Sequence, residues 1–161
     1  MPDKQQQDAL TAVERAMVAI RRSQTRRSLG RLAPPGEERP VDPTLFGVLD
    51  AVEDREGSCS VTDVAAALGV DQPRASRLVL RAVEEGWVSR RPDPADARRA
   101  LLALTADGRE LVDRTHRFRQ QVFARAMAGW PDADRVEFAR LLTAFVEGFG
   151  RESNSAAGRA D

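Results

Sequence analysis

The sequence predicts a mostly α-helical chain with one small β-hairpin, and three observations carry that prediction. Apolar residues recur at three- and four-residue steps through most of the chain, the signature of helices with one buried face. Two short runs, 87–91 and 100–104, flank a Pro/Asp-rich tip at 92–96, the pattern of two strands and a turn. With 161 residues, 42% of them hydrophobic, the chain is long enough for one domain plus an oligomerisation arm.

The elements follow in order. Residues 5–29 read as a helix on the stripe Leu10, Val13, Met17 and Ile20, with a basic far end of Arg21, Arg22, Arg26, Arg27 and Arg31. Residues 33–40 are Pro-, Gly- and Glu-rich and read as a loop. Asp42-Pro43 opens a second helix, with Asp as the cap and Pro where its missing N–H costs nothing. Leu45, Phe46, Leu49 and Val52 form its apolar face, and Gly57-Ser58 ends it. Residues 59–61 form a short extended piece. Thr62 is expected to cap a helix to Leu68, which the left-handed residue Gly69 stops.

Asp71 caps the next helix, with Ala75, Leu78, Val79, Ala82 and Val83 inward and Gly86 at its end. After the hairpin, Thr105 caps a long helix to about Ala128, with Leu111, Thr115, Phe118, Val122 and Ala126 on one face. Trp130-Pro131-Asp132 breaks it. A last helix over 133–149 carries Phe138, Leu141, Leu142, Phe145 and Phe149, and 151–161 is read as a flexible tail.

Composition excludes several classes. One cysteine leaves no intramolecular disulfide framework and no Cys-based zinc cluster. No apolar run approaches the ~20 residues of a membrane span, and the N-terminus lacks a secretory stretch, so a cytoplasmic protein is expected. The sequence contains no Gly-rich phosphate loop, nucleophile elbow or His–carboxylate pair at helical spacing, so no enzyme and no cofactor are expected. The formal net charge of zero hides a pattern: residues 1–31 carry +4, residues 32–71 carry −7, and residues 72–99 carry +3. Steering toward an anion depends on local potential rather than on the total.

The +3 segment holds the strongest motif. Residues 62–85 are two short helices joined by Leu68-Gly69-Val70-Asp71, a helix-turn-helix arrangement. Gln72, Pro73, Arg74, Ser76, Arg77 and Arg81 stay off the apolar stripe, most of them near the start of the second helix, where such proteins reach base edges. Arg suits guanine, Gln suits adenine and Ser suits a phosphate or either base. Arg90 and Arg91 lie on the rising strand, and Asp96-Ala97-Arg98-Arg99 sits at the tip. There an arginine oriented by Asp96 can enter a narrow minor groove.

Residues 62–108 resemble the winged helix-turn-helix of the MarR (multiple antibiotic resistance regulator) family. The matching pieces are Leu68-Gly69 and Val70 before the second helix, Ser76-Arg77 and Leu78-Val79 within it, and Glu84-Glu85-Gly86-Trp87-Val88 after it. Asp93-Pro94, Asp96 and Arg98 at the wing and Leu102, Leu104-Thr105 and Gly108 at its close complete the pattern. The resemblance covers roughly residues 8–150. It implies a winged helix-turn-helix region (42–108, with the helix-turn-helix at 62–85 and the wing at 87–104) flanked by dimerisation helices at 1–32 and 106–150.

It further implies a homodimeric transcriptional regulator, a ligand-responsive repressor, on a pseudo-palindromic double-stranded DNA operator. A small-molecule effector would lie in a cleft between the dimer arm and the winged domain. Gln72, Pro73, Arg74, Ser76 and Arg77 become the major-groove residues, and Asp96 with Arg98 the wing pair, supported by Arg90, Arg91 and Arg99. Ala97 departs from the pattern, where many members carry another Arg. The competing expectation is a dimeric module whose helix-turn-helix surface contacts protein.

Three further features are read plainly. The basic end of the first helix is taken as a solvated face or a partner for the acidic 32–71 segment. Cys59 is taken as a small buried residue rather than a redox sensor, which needs a lowered pKa and access. His116 is taken as a solvated or interface residue with no metal ligands assembled around it.

Overall fold

A computed structural model of the chain describes residues 3–26, 41–96 and 99–157. Arg27, Arg31, the 33–40 loop, Ala97, Arg98 and the end of the expected tail, named above, lie outside the described residues. The chain divides into two units, Met1–Arg119 and Gln120–Asp161, each described by itself.

In the first unit, α1 spans Lys4–Arg26, α2 Pro43–Asp54, α3 Val61–Leu68 and α4 Gln72–Glu84, before strands β1 (Val88–Pro92) and β2 (Ala100–Leu104). Helix α5 (Ala106–Ala126) begins here and runs into the second unit, which holds α6 (Asp132–Ala157). The predicted fold class is the observed one, mostly α with a small antiparallel wing.

Local chemistry explains the boundaries. Asp42 caps α2 by accepting from the Thr44 N–H at 2.8 Å, and Pro43 occupies the first helical position. Asp71 caps α4 by accepting from the Arg74 N–H at 2.8 Å. Gly69 ends α3 in the left-handed region at φ 61°, a conformation strained for an L side chain and free for glycine. The predicted cap of α3 needs correction: Ser60, not Thr62, is the N-cap. Its hydroxyl accepts from the Asp63 N–H while the Asp63 carboxylate accepts from the Ser60 N–H at 2.8 Å and from its hydroxyl at 2.7 Å. This reciprocal box satisfies both ends of the turn, which Thr62, with Ala65 three residues on, has no carboxylate to do.

The core is built from Leu45, Val48, Leu49 and Val52 of α2, Val64 of α3, Leu78 and Val79 of α4, Val88 and Leu102 of the wing, and Leu111 and Val112 of α5. Strands β1 and β2 pair from Val88↔Leu104 to Pro92↔Ala100. Cys59 bridges Leu102 on the other side of β2, its carbonyl accepting from the Leu102 N–H at 2.8 Å.

The foot of α5 is fastened to the junction between α4 and β1. The Thr105 hydroxyl donates to the Gly86 carbonyl at 2.6 Å and accepts from the Gly108 N–H at 3.0 Å, and the Thr105 N–H donates to the Trp87 carbonyl. Gly108 packs so closely on Trp87 that a Cβ there would collide with its carbonyl.

Two expectations about the outer helices change. Helix α6 runs to Ala157, so helix replaces the first seven residues of the expected tail; Ser and Ala there offer no break of the kind Pro supplies. On α1, Leu10, Val13 and Ile20 have the predicted helical spacing but are exposed. No helix among the described residues is long and apolar enough to cross a membrane.

Candidate nucleic-acid interface

Helix α4 sorts its side chains as its periodicity predicts. Ala75, Leu78, Val79 and Ala82 are buried and Val83 half-buried, while Gln72, Pro73, Arg74, Ser76, Arg77 and Arg81 are exposed. Pro73 in the first turn removes a backbone donor where none is needed and fixes the chain in helical φ. The Arg74 and Arg77 guanidinium groups make no side-chain hydrogen bond or ion pair among the described residues. Two cations and a hydroxyl therefore stand open at the positive end of one rigid helix, the arrangement that attracts a polyanion.

Gln72 is placed differently from a free reader. Its Nε2 donates to Thr62 Oγ1 at 3.1 Å, tying the first residue of α4 back to α3 and leaving the amide oxygen and the second N–H of that group uncommitted. Arg81, farther along, lies 3.8 Å from Asp42 in an exposed pair.

The wing separates its two arginines. Arg90 is exposed, with no side-chain partner among the described residues. Arg91 instead donates through Nη2 to the Gly57 carbonyl at 3.1 Å, across 34 positions of sequence. It lines a cavity of about 270 Å³ with Glu53, Glu56, Arg109 and Asp113, so the fold uses it to fasten the wing to the end of α2. At the tip, the Asp93 carboxylate accepts from the Ala95 N–H at 2.8 Å, and the Arg99 N–H donates to the Asp96 carbonyl at 2.9 Å. Asp96 and Arg99 are both exposed there. The expected orientation of Arg98 by Asp96 falls outside the described residues.

Beneath the wing, Cys59 is fully buried and its thiol is pushed up to about 11, by burial first and then by the nearby Asp63 carboxylate, with Arg55 opposing. A thiol so held is a packing group rather than a reactive one. The Asp63 carboxyl is held below the usual carboxylate range, chiefly by its hydrogen bond from the Ser60 hydroxyl and then by that from the Ser60 N–H. Burial opposes these, and Arg55, 3.1 Å away, and Arg99 assist.

His116 is not isolated. Its Nε2 lies 3.5 Å from Glu53 Oε2 and 3.8 Å from Asp50 Oδ1, both on α2. The expectation that nothing gathers around it is therefore corrected. The carboxylates come from a helix more than sixty positions away, and the only sequence signal was the three-residue spacing of Asp50 and Glu53, which puts them on one face.

Comparison with known proteins gives a consistent picture. A family model described as MarR family matches residues 40–99. The chain is 25% identical over 88 residues to the HTH-type transcriptional regulator BilQ of Clostridium symbiosum, covering 55% of this chain and 61% of BilQ, just under two thirds of that protein's length.

Among solved structures, it is similar to BpsR of Bordetella bronchiseptica, whose DNA binding is regulated by 6-hydroxynicotinic acid. The TM-score is 0.56 at 29% identity, covering 82% of this chain and 98% of that one. A MarR family protein from Bacillus stearothermophilus shares the fold, with a TM-score of 0.71 at 19% identity over 93% of this chain and 99% of that one.

Proposed function

We propose that this chain is a transcriptional regulator of the MarR type, a homodimeric repressor of a pseudo-palindromic operator that is released by a small-molecule effector. The observation that carries the DNA-reading role is the open trio Arg74, Ser76 and Arg77 on α4, a helix held by the Asp71 cap and by the Gln72–Thr62 bond. These residues read base edges in the major groove, with Arg77 and Arg74 the guanine or phosphate contacts and Ser76 the smaller donor. Pro73 sets the start of that helix. Gln72 contributes through its free amide oxygen.

On the wing, Arg90, Arg98 and Arg99 supply charge to the backbone or minor groove, and Asp96 orients the tip. Arg91 contributes by positioning the wing through Gly57.

A second copy of the chain fits the apolar residues left exposed on α1 and α6, among them Leu10, Leu141 and Phe149. Two recognition helices in one dimer would then read half-sites about 34 Å apart. The similarity to BpsR supports an effector of small-molecule size, which acts only by preferring one of two dimer geometries.

The test is anisotropy titration with the duplex upstream of the protein's own coding region. The expected result is two chains bound per inverted repeat, with affinity ~10³-fold or more above a scrambled duplex at the same salt. No salt-dependent retention on DNA at low ionic strength, or a chain that stays single at working concentration, overturns the proposal and favours a protein-binding surface.

A further inference from the structure

We propose that Asp50, Glu53 and His116 form a site for one divalent transition-metal ion bridging α2 and α5. The proposal stands on the first unit alone and does not depend on DNA binding.

Asp50 and Glu53 lie three residues apart on α2, and His116 and Arg119 three apart on α5, so each pair shares a helix face. The two faces meet. One ligand atom from each of Asp50, Glu53 and His116 lies within 4.8 Å of the other two, with His116 Nε2 at 3.5 and 3.8 Å from its carboxylate neighbours. Four-coordinate zinc, with bonds of roughly 2.0–2.2 Å, sets its ligand atoms about 3.4 Å apart, so small rotamer shifts close the triangle.

The orientation of Asp50 is set from outside the triangle. Its Oδ2 is taken by Arg119 at 3.5 Å, while Oδ1 faces His116. Arg119 is itself seated over the Phe46 ring, 4.7 Å from its centroid. One oxygen is thus bound by an anchored cation and the other is left aimed at the imidazole, the way outer groups commonly orient a carboxylate that ligates. Two carboxylates beside one guanidinium leave a net negative charge for a cation to offset. All three ligand side chains are part-exposed, at 37–41%, which gives an ion entry and leaves room for water as a further ligand.

The donor set selects the class of ion. An imidazole nitrogen beside two carboxylates suits zinc, cobalt, nickel or iron, whereas calcium and magnesium prefer oxygen throughout.

The experiment is a titration of chelator-treated full-length protein with Co²⁺, read by its visible absorption, followed by displacement with Zn²⁺ in a calorimeter. One cobalt per chain, displaced by one zinc, is expected. His116→Ala and Glu53→Gln should each weaken binding about tenfold or more, while Glu56→Gln, in the turn just past the end of α2 and outside the triangle, should leave it unchanged. Circular dichroism without metal checks that each variant is folded, and Glu53→Gln carries the test should His116→Ala fail. No cobalt spectrum, or binding that survives Glu53→Gln at full strength, overturns the site and leaves a plain ion-pair cluster.

Discussion

The stretch from α2 to the start of α5 and the unit Gln120–Asp161 carry the same kind of sequence pattern but treat it in opposite ways. In the former, Leu49, Val52, Val79 and Leu102 are almost wholly removed from solvent. In the latter, Phe138, Leu141, Leu142 and Phe149 stand 41–59% exposed, and the ring contacts among the described residues are local pairs, Trp130 against Phe138 and Phe145 against Phe149. Periodicity therefore identifies which face of a helix is apolar but says nothing about what covers it. A region that closes its own core gains its hydrophobic stabilisation as one chain; a region left open gains it only on association.

The largest test of that contrast is Leu49→Ala, expected to cost about 2–5 kcal/mol in urea unfolding whatever the protein concentration. Leu142→Asp should act on association instead, shifting sedimentation from a dimer toward a single chain while the winged core stays folded. A dimer undisturbed by that charge would remove the reason for calling the exposed face an interface. Arg77→Ala should weaken operator binding by about 1–3 kcal/mol and relax base preference at one position without changing the unfolding midpoint.

Asp63→Asn is a smaller probe, directed at the capping box, where losing such a cap costs about 0.5–2 kcal/mol. Because the Asp63 carboxyl is depressed in the folded protein, its contribution is fully present at neutral pH. The stability gap between wild type and variant should therefore close as pH falls below the unfolded value of ~3.9 and through the lower folded one. A gap that is flat across that range, measured by unfolding at several pH values, would show that the carboxylate is not the group holding α3. The smallest expected effect is that of Arg90→Ala, which should lower the salt slope of DNA binding by about 0.9 if that side chain meets one phosphate.

Much of this was legible in the sequence because it is local. The caps Asp42 and Asp71, the stop at Gly69, the inward stripe of α4 and the hairpin all depend on residues within a few positions of each other. The choice of Ser60 over Thr62 was close to legible: the two hydroxyls are neighbours, and Asp63 three residues after Ser60 decides between them. What sequence could not show is contact across distance. Arg91 finding Gly57, Gln72 finding Thr62 and His116 finding Asp50 and Glu53 are meetings made by the tertiary fold. Arg90 and Arg91 were indistinguishable as adjacent arginines, yet one is engaged internally and the other is open. The extent of α6 beyond Arg151 escaped for a different reason, since small polar residues read equally well as coil or as a continued helix.

The glycine at 108 leaves no slack where α5 meets the Trp87 carbonyl, and Thr105 bolts the same spot to Gly86. Helix end, wing root and shaft thus share one stiff knuckle. Neither the wing root nor the first turn of α5 can shift there without carrying the other.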